Sequence, residues 1–271
     1  MNTYSEIGII GGSGFYNLDP DSSPGQSPYI DLPTPFDDEP VRLSQEKLNG
    51  IYVYFLPRHG AEHKSSPHNI NYRANLWALK EVGVKNIIAI NAVGGISIKL
   101  KPGSLVIPDQ LVDYTWGRKH SFFDDLNSLH DHIDFTYPYD AEIRSILANE
   151  AINLNLPIIK QACFACTQGP RLETAAEIQK LKRDGCDIVG MTGMPEASLA
   201  RELGLAYACI ALVVNPAAGL NDEVLRIDKI KTVLDLGLQD IRKLLSASLS
   251  KLDTLPINTY SNEKLNKDGN S

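Results

Sequence analysis

Seven short runs of apolar and β-branched residues punctuate the chain, at residues 6–10, 51–56, 86–91, 104–107, 161–167, 187–191 and 207–215, each bounded by turn-forming residues. Most are continuous rather than alternating, the pattern of strands covered on both faces. Between them, apolar residues recur at helical spacing. Residues 71–82 set Leu76, Leu79 and Val82 on one side, and residues 140–154 open on an aspartate cap and carry Ile143, Ile146, Leu147 and Ile152. Segments 174–182, 195–203 and 227–249 follow the same pattern. Strands alternating with helices predict an α/β fold on a mainly parallel or mixed sheet. No repeat and no linker divides the chain, so a single domain over residues 1–256 is expected, with a polar C-terminal tail at 257–271. Residues 19–40, rich in Pro, Asp and Ser, read as a surface loop.

With 271 residues, 43% hydrophobic and 22% charged, the composition excludes disordered, collagen-like and coiled-coil classes. A net charge of −7 counts against a nucleic-acid partner, because phosphate backbones need a basic face. No apolar run is long enough to span a bilayer, and MNTYSEIGII lacks the basic start of a signal peptide, so no membrane partner is expected. The four cysteines (Cys163, Cys166, Cys186 and Cys209) lie in or beside apolar runs and are too few for a disulfide scaffold, which points to the cytoplasm. Three-residue spacing on a strand turns Cys163 and Cys166 to opposite faces, as core residues rather than a redox pair. His130, His132 and Asp134, with Asp124 and Asp125 nearby, sit on an Asp-rich loop without fixed ligand geometry, so no metal is expected.

Six segments could carry chemistry, each at a strand end. GIIGGSGFYN, starting at Gly8, is a glycine-rich turn whose amides and Ser13 hydroxyl suit an anion, or simply a tight strand exit. It fits neither the dinucleotide fingerprint nor the Walker pattern. LPRHGAEH supplies Arg58, a planar fork of donors, and His59. NAVGGI, from Asn91, is a turn of small residues that would let a ligand lie against the backbone. CTQGPRLETAAE places Glu173 at a helix start, as a dipole-favoured acid or an acceptor for ligand N–H groups. GMTGMPEASLAREL offers Thr192 as a donor to an anion and Glu196 as an acceptor from sugar hydroxyls. In LVVNPAAGL, Asn215 ends a buried strand with an amide suited to one edge of a heterocycle.

Together these segments resemble the trimeric purine nucleoside phosphorylase family, in its methylthioadenosine phosphorylase branch. GGSGF, PRHG, NYRANLWALK, NAVGG, SFFDD, GPRLET and MTGMPE follow one another in the family's order over residues 7–249. The resemblance implies a mixed, distorted β-sheet surrounded by α-helices, assembled as a homotrimer. It implies reversible phosphorolysis of a purine nucleoside, with inorganic phosphate as co-substrate and no metal or cofactor. By position, Ser13, Arg58, His59, the Ala92 amide and Thr192 are expected to hold phosphate. Met191 and His63 are expected near the sugar, Leu172 against the purine face where the family usually has Phe, and His132 in the neighbouring subunit's site.

At the base, the methylthioadenosine branch carries two Asp residues where this chain has Asn215 and Ala217, and it lacks the Glu found here as Glu173. Asn215 can serve a 6-oxo group and N7–H, and Glu173 can accept from N1–H, so a 6-oxopurine is implied. A wrongly paired base would cost about 1–3 kcal/mol per site. Ile227 and Ile230 align with the apolar surroundings of a 5′-methylthio group, although both also fit the core face of an amphipathic helix. The substrate implied is 5′-methylthioinosine. The rivals are a general 6-oxopurine (inosine or guanosine) phosphorylase, a methylthioadenosine phosphorylase, a non-catalytic nucleotide sensor and, least well supported, a nicotinamide-dependent oxidoreductase.

Overall fold

The computed structural model describes residues 6–15, 18, 28–60, 65–123, 132–221 and 227–255, the side chains of 227–229 excepted. Among the described residues, eleven strands form one mixed sheet: β1 (Ile7–Gly11), β2 (Tyr29–Thr34), β3 (Asp37–Leu48), β4 (Ile51–Pro57), β5 (Asn86–Gly95), β6 (Leu105–Val106), β7 (Gln110–Asp113), β8 (Ile158–Ile159), β9 (Cys163–Cys166), β10 (Ile188–Gly190) and β11 (Ala206–Pro216). Five α-helices surround it: α1 (Tyr72–Glu81), α2 (Ala141–Asn153), α3 (Ala175–Arg183), α4 (Glu196–Glu202) and α5 (Ile227–Leu252). The α/β fold expected from the alternation is the fold observed, and all seven apolar runs and all five helical segments hold their elements.

The sheet is built around β5. It pairs in parallel with β1 on one side and along almost all of its length with β11 on the other. Outward from β1 come β4, β3 and β2 in turn, and β6 pairs with β11 and then with β8. Alternation along β1 feeds two cores. Ile7 and Ile9 pack beneath Ile143 and Leu147 of α2 and Leu238, Ile241 and Leu245 of α5. Ile10 faces the opposite way, toward Leu76 and Leu79 of α1 and Leu199 of α4. Burying aliphatic side chains on both faces gives each about 1.5–3 kcal/mol, which explains why the central strands read as unbroken apolar runs.

Helix starts follow their caps. Asp140 accepts the Ile143 amide proton at 2.8 Å, and Asn71 accepts that of Ala74 at 3.0 Å. At α3, Thr174 and Glu177 form a reciprocal capping box. Cys163 and Cys166 belong to different core clusters, as the strand geometry requires.

Three expectations need correction. The surface loop expected at 19–40 is, over its described part, a hairpin of β2 and the start of β3. Its residues alternate between exposed and half-buried, and Asp31 and Arg42 form an ion pair across it at 2.6 Å, so its polar composition belongs to an edge ribbon. NAVGG is not a turn but the second half of β5; a Cβ at Gly95 would lie 2.6 Å from the Leu100 carbonyl oxygen, which is why the strand needs glycine there. Short β7 and β8 were not anticipated. The tail at 257–271 lies outside the described residues. Among those described, no helix is long and apolar enough to cross a membrane.

Candidate active site

The sheet is split beside β5. β1 leaves it after the Ile10–Ala89 pair, and β10 joins the sheet at Gly94–Val189. Between these points no described strand lies along that side of β5. The carbonyl of Ile90, exposed by the split, accepts from Arg58 Nη1 at 3.0 Å. Amide and carbonyl of one residue point the same way and alternate along a strand, so the Ala92 N–H faces the same side as the Ile90 carbonyl. A cavity of about 200 Å³ opens there.

One end of this cavity is rich in donors. Gly12 and Ser13 form its rim; a Cβ on Gly12 would lie 2.6 Å from the Ile90 carbonyl oxygen, so only glycine lets the turn close against β5. Arg58, His59, Ala92 and Thr192 line the same end. Thr192 accepts from Asn91 Nδ2 at 2.8 Å, which leaves its own proton to donate elsewhere. His59 Nδ1 lies 2.8 Å from the Ser65 carbonyl, an atom that can only accept, so the Nδ1 proton is fixed and the ring is held in place at this end. Arg58 is buried, and its inner edge is taken: Nε and Nη2 donate to the two oxygens of Glu196 at 2.6 and 2.7 Å. Burial works against the charged guanidinium, but the Glu196 carboxylate and its hydrogen bonds outweigh it and raise the pKa of Arg58.

The other end is shaped for a flat, amphipathic ligand. Met191 and Val189 come from β10 and the turn after it, Leu172 and Glu173 from the turn before α3, and Asn215 and Ala217 from the end of β11. Leu172 is 54% exposed, so its apolar face is open to a ligand. Thr167 donates to Glu173 Oε1 at 2.6 Å and holds the carboxylate at the cavity wall. Asn215 Nδ2 donates to the Pro216 carbonyl at 2.7 Å, which points the amide and leaves its oxygen to accept. Ala217 is buried and apolar.

Two expected site residues, Ile230 and His132, are not brought into the cavity lining, and two more lie outside the description. His63 lies outside the described residues, as does the side chain of Ile227. Ile230 packs against the core cluster holding Phe15 and Leu238, and His132 is exposed and lines no part of the cavity. Glu196 is not an acceptor for sugar hydroxyls: it is fully buried beneath Arg58 and receives Tyr207 Oη at 2.8 Å. Of the acidic loop, residues 124–131 lie outside the description, and Asp134 accepts from the Thr136 amide.

Two supports escaped the sequence reading. Asn91 was visible only as part of a small-residue segment, and its strand position gives it the Thr192 contact. Arg118 sits between Gly117 and Lys119 with no signal of burial, yet it donates to the carbonyls of Thr167, Gln168, Met191 and Met194. It thereby ties the turn carrying Leu172 and Glu173 to the turn carrying Thr192. Cys166 lies beneath this junction, accepting the Met194 amide proton, and burial pushes its thiol up to about 12.

The chain matches the phosphorylase superfamily over residues 6–250. A protein of Pseudomonas syringae pv. tomato named "Probable S-methyl-5′-thioinosine phosphorylase" is 48% identical over 245 residues, covering 89% of this chain and 97% of its own length. The "6-oxopurine nucleoside phosphorylase" of Pyrococcus furiosus is 42% identical over 248 residues, covering 90% and 91%. Among solved structures, methylthioadenosine phosphorylase from Schistosoma mansoni in complex with adenine superimposes with a TM-score of 0.84 at 32% identity, covering 94% of this chain and 93% of the other. The chain belongs to the phosphorylase superfamily.

Proposed function

We propose that this protein is a purine nucleoside phosphorylase that cleaves 5′-methylthioinosine with orthophosphate, giving hypoxanthine and 5-methylthioribose 1-phosphate. The observation that carries this reading is the meeting, in one cavity, of a donor-rich end and a wall bearing Glu173, Asn215 and the apolar Ala217. Phosphate sits at the donors of Ser13, Ala92, Thr192 and Arg58, with His59 beside them. The purine lies against Leu172, with Glu173 accepting from N1–H and Asn215 facing N7. Met191 meets the sugar between them. Ala217 gives a 6-amino group no polar partner, which favours the 6-oxo base over adenine.

Phosphate oxygen attacks C1′ as the N-glycosidic bond breaks, and the bonding electrons pass into the purine. The proton of hydrogen phosphate ends, in net terms, on the departing base, where the Asn215 oxygen accepts from N7–H. The sugar carries positive charge in the transition state, next to the phosphate anion, so positioning and electrostatics supply the catalysis. Phosphate is itself the nucleophile, so the reaction calls for no metal and no cofactor. The 5′-methylthio preference rests on the positions of Ile227 and Ile230 and on the name of the Pseudomonas relative. We also infer a cytoplasmic homotrimer, from four free thiols and from the resemblance that places His132 in a neighbour's site.

A second reading is a general 6-oxopurine phosphorylase, favoured by the packing of Ile230 against the core rather than along the cavity. Phosphate-dependent base release from methylthioinosine, methylthioadenosine, inosine and guanosine separates them. The proposal expects kcat/KM for methylthioinosine about 10²-fold above the others, the ~2.7 kcal/mol these contacts can supply. Equal rates on inosine and guanosine support the second reading. Preference for methylthioadenosine overturns the roles given to Glu173 and Asn215.

A further inference from the structure

The buried pair of Arg58 and Glu196 poses a chemical question. An anion site gains from an unopposed positive charge, yet here the one buried guanidinium at the donor-rich end is neutralised by a carboxylate of equal burial. Three of the five N–H bonds of Arg58 are committed, two to Glu196 and one to the Ile90 carbonyl. The two that remain, one each on Nη1 and Nη2, are left to a residue that lines the cavity. Glu196 is itself held: Oε1 accepts from Tyr207 Oη at 2.8 Å as well as from Arg58 Nη2, so the carboxylate cannot rotate without losing a partner. Tyr207 stands on β11, Arg58 just after β4 and Glu196 at the start of α4, so three separate elements converge on one side-chain orientation.

We propose that Glu196, braced by Tyr207, is a positioning residue of the phosphate subsite: it fixes the plane and edge that Arg58 presents to the anion and cancels its charge there. The inference rests on the phosphate role given above to this end of the cavity. A subsite built this way selects phosphate by the directions of its N–H and O–H donors and not by net charge. It can release the phosphorylated sugar, because no unopposed cation retains it. Glu196 touches no ligand in this arrangement and acts only through Arg58.

The test is a comparison of Michaelis constants for phosphate and for nucleoside in the full-length wild type, Glu196→Gln, Glu196→Asp and Tyr207→Phe. Glu196→Gln replaces one acceptor oxygen by a donor that opposes the Arg58 N–H groups. The phosphate KM is expected to rise at least about tenfold, with the nucleoside KM within about twofold. Glu196→Asp, which keeps the carboxylate, restores part of the loss. Because Glu196→Gln strands a buried cation and can unfold the chain, Tyr207→Phe is the second probe. It removes one hydrogen bond, keeps the ring stacked on Tyr139, and is expected to raise the phosphate KM about fivefold. If both Michaelis constants move together, or the phosphate KM falls, or neither variant shifts it, the inference is wrong. If the wild type releases no base in response to phosphate, the reading of the site itself fails, and the two failures are distinct.

Discussion

The side-chain amide of Asn91 donates to the hydroxyl of Thr192 at 2.8 Å, across 101 positions of sequence. The amide cannot be turned about, because its oxygen accepts from the buried thiol of Cys209 at 3.3 Å. Burial pushes the Cys209 thiol up, so it keeps the proton it donates. The chain of donors runs from Cys209 to Asn91 to Thr192 and leaves the Thr192 proton for the cavity. Asn91→Ala is therefore expected to raise the phosphate KM about tenfold, and Thr192→Val to do the same, each near the 1–3 kcal/mol of a lost buried partner. The double variant should be little worse than either single one, because the two residues act as a unit. Steady-state kinetics with phosphate varied read this directly, and additive losses would sink it.

Base choice depends on the end of β11 and the turn before α3. Asn215 and Ala217 are two residues apart, and both line the cavity beside Glu173. Replacing both by Asp, with Glu173→Gln, gives the wall a carboxylate for a 6-amino group and removes the acceptor for N1–H. The ratio of kcat/KM for 6-amino over 6-oxo substrates is expected to rise at least about 10²-fold, from about 1–3 kcal/mol at each position. An unchanged ratio in a folded variant would show that other residues read the base.

The capping box of α3 holds the turn that presents Leu172 and Glu173. Thr174 accepts from the Glu177 amide at 3.1 Å, and Glu177 accepts back from the Thr174 amide at 2.7 Å. Thr174→Ala is expected to cost about 1 kcal/mol of stability, read by denaturant unfolding. The Arg171 guanidinium, followed by the Thr174 amide, lowers the pKa of Glu177 from 4.5 to about 2. A depressed pKa means that the stabilising contribution is complete above about 4.5 and disappears as the pH falls toward 2. Wild type and Glu177→Gln should thus differ by a constant amount at neutral pH, and their unfolding midpoints should converge between those two values. Midpoints that stay parallel down to pH 2 would remove Glu177 from the acid response.

Local sequence made some of this site legible and hid the rest. Ser13, Arg58 and Thr192 each follow a strand and Asn215 lies in the last residues of one, and strand ends are where a sheet exposes its chemistry, so motif and element together found them. Glu196 misled, because a glutamate at a helix start looks solvent-facing, and only the tertiary approach of Arg58 and Tyr207 explains its burial. Asn91 and Arg118 were passed over for the same reason: the partners named above lie 49 to 118 positions away. The hairpin of β2 and β3 was hidden by its polar exposed face, which composition alone does not distinguish from a loop. The split beside β5 is set by where two partner strands depart and arrive, and no local pattern encodes it.

That split also explains why Gly12 tolerates no side chain. Its missing Cβ would stand 2.6 Å from the Ile90 carbonyl oxygen and 3.0 Å from Arg58 Nη1. The first contact is with backbone of the central strand, which cannot give way, so Gly12→Ala must lift the turn carrying Ser13 away from β5. The expected result is a phosphate KM raised more than about tenfold, with stability lowered by about 1–3 kcal/mol, the usual range for overpacking. Gly103 is the control: its φ is 91° and nothing stands within 4 Å of a built Cβ. Gly103→Ala should cost about 1–2 kcal/mol from left-handed backbone strain and leave both Michaelis constants unchanged. Thermal unfolding and phosphate kinetics on the pair separate the two effects. Were Gly12→Ala to lose stability and keep its phosphate KM, the turn would be a strand exit and not part of the anion site.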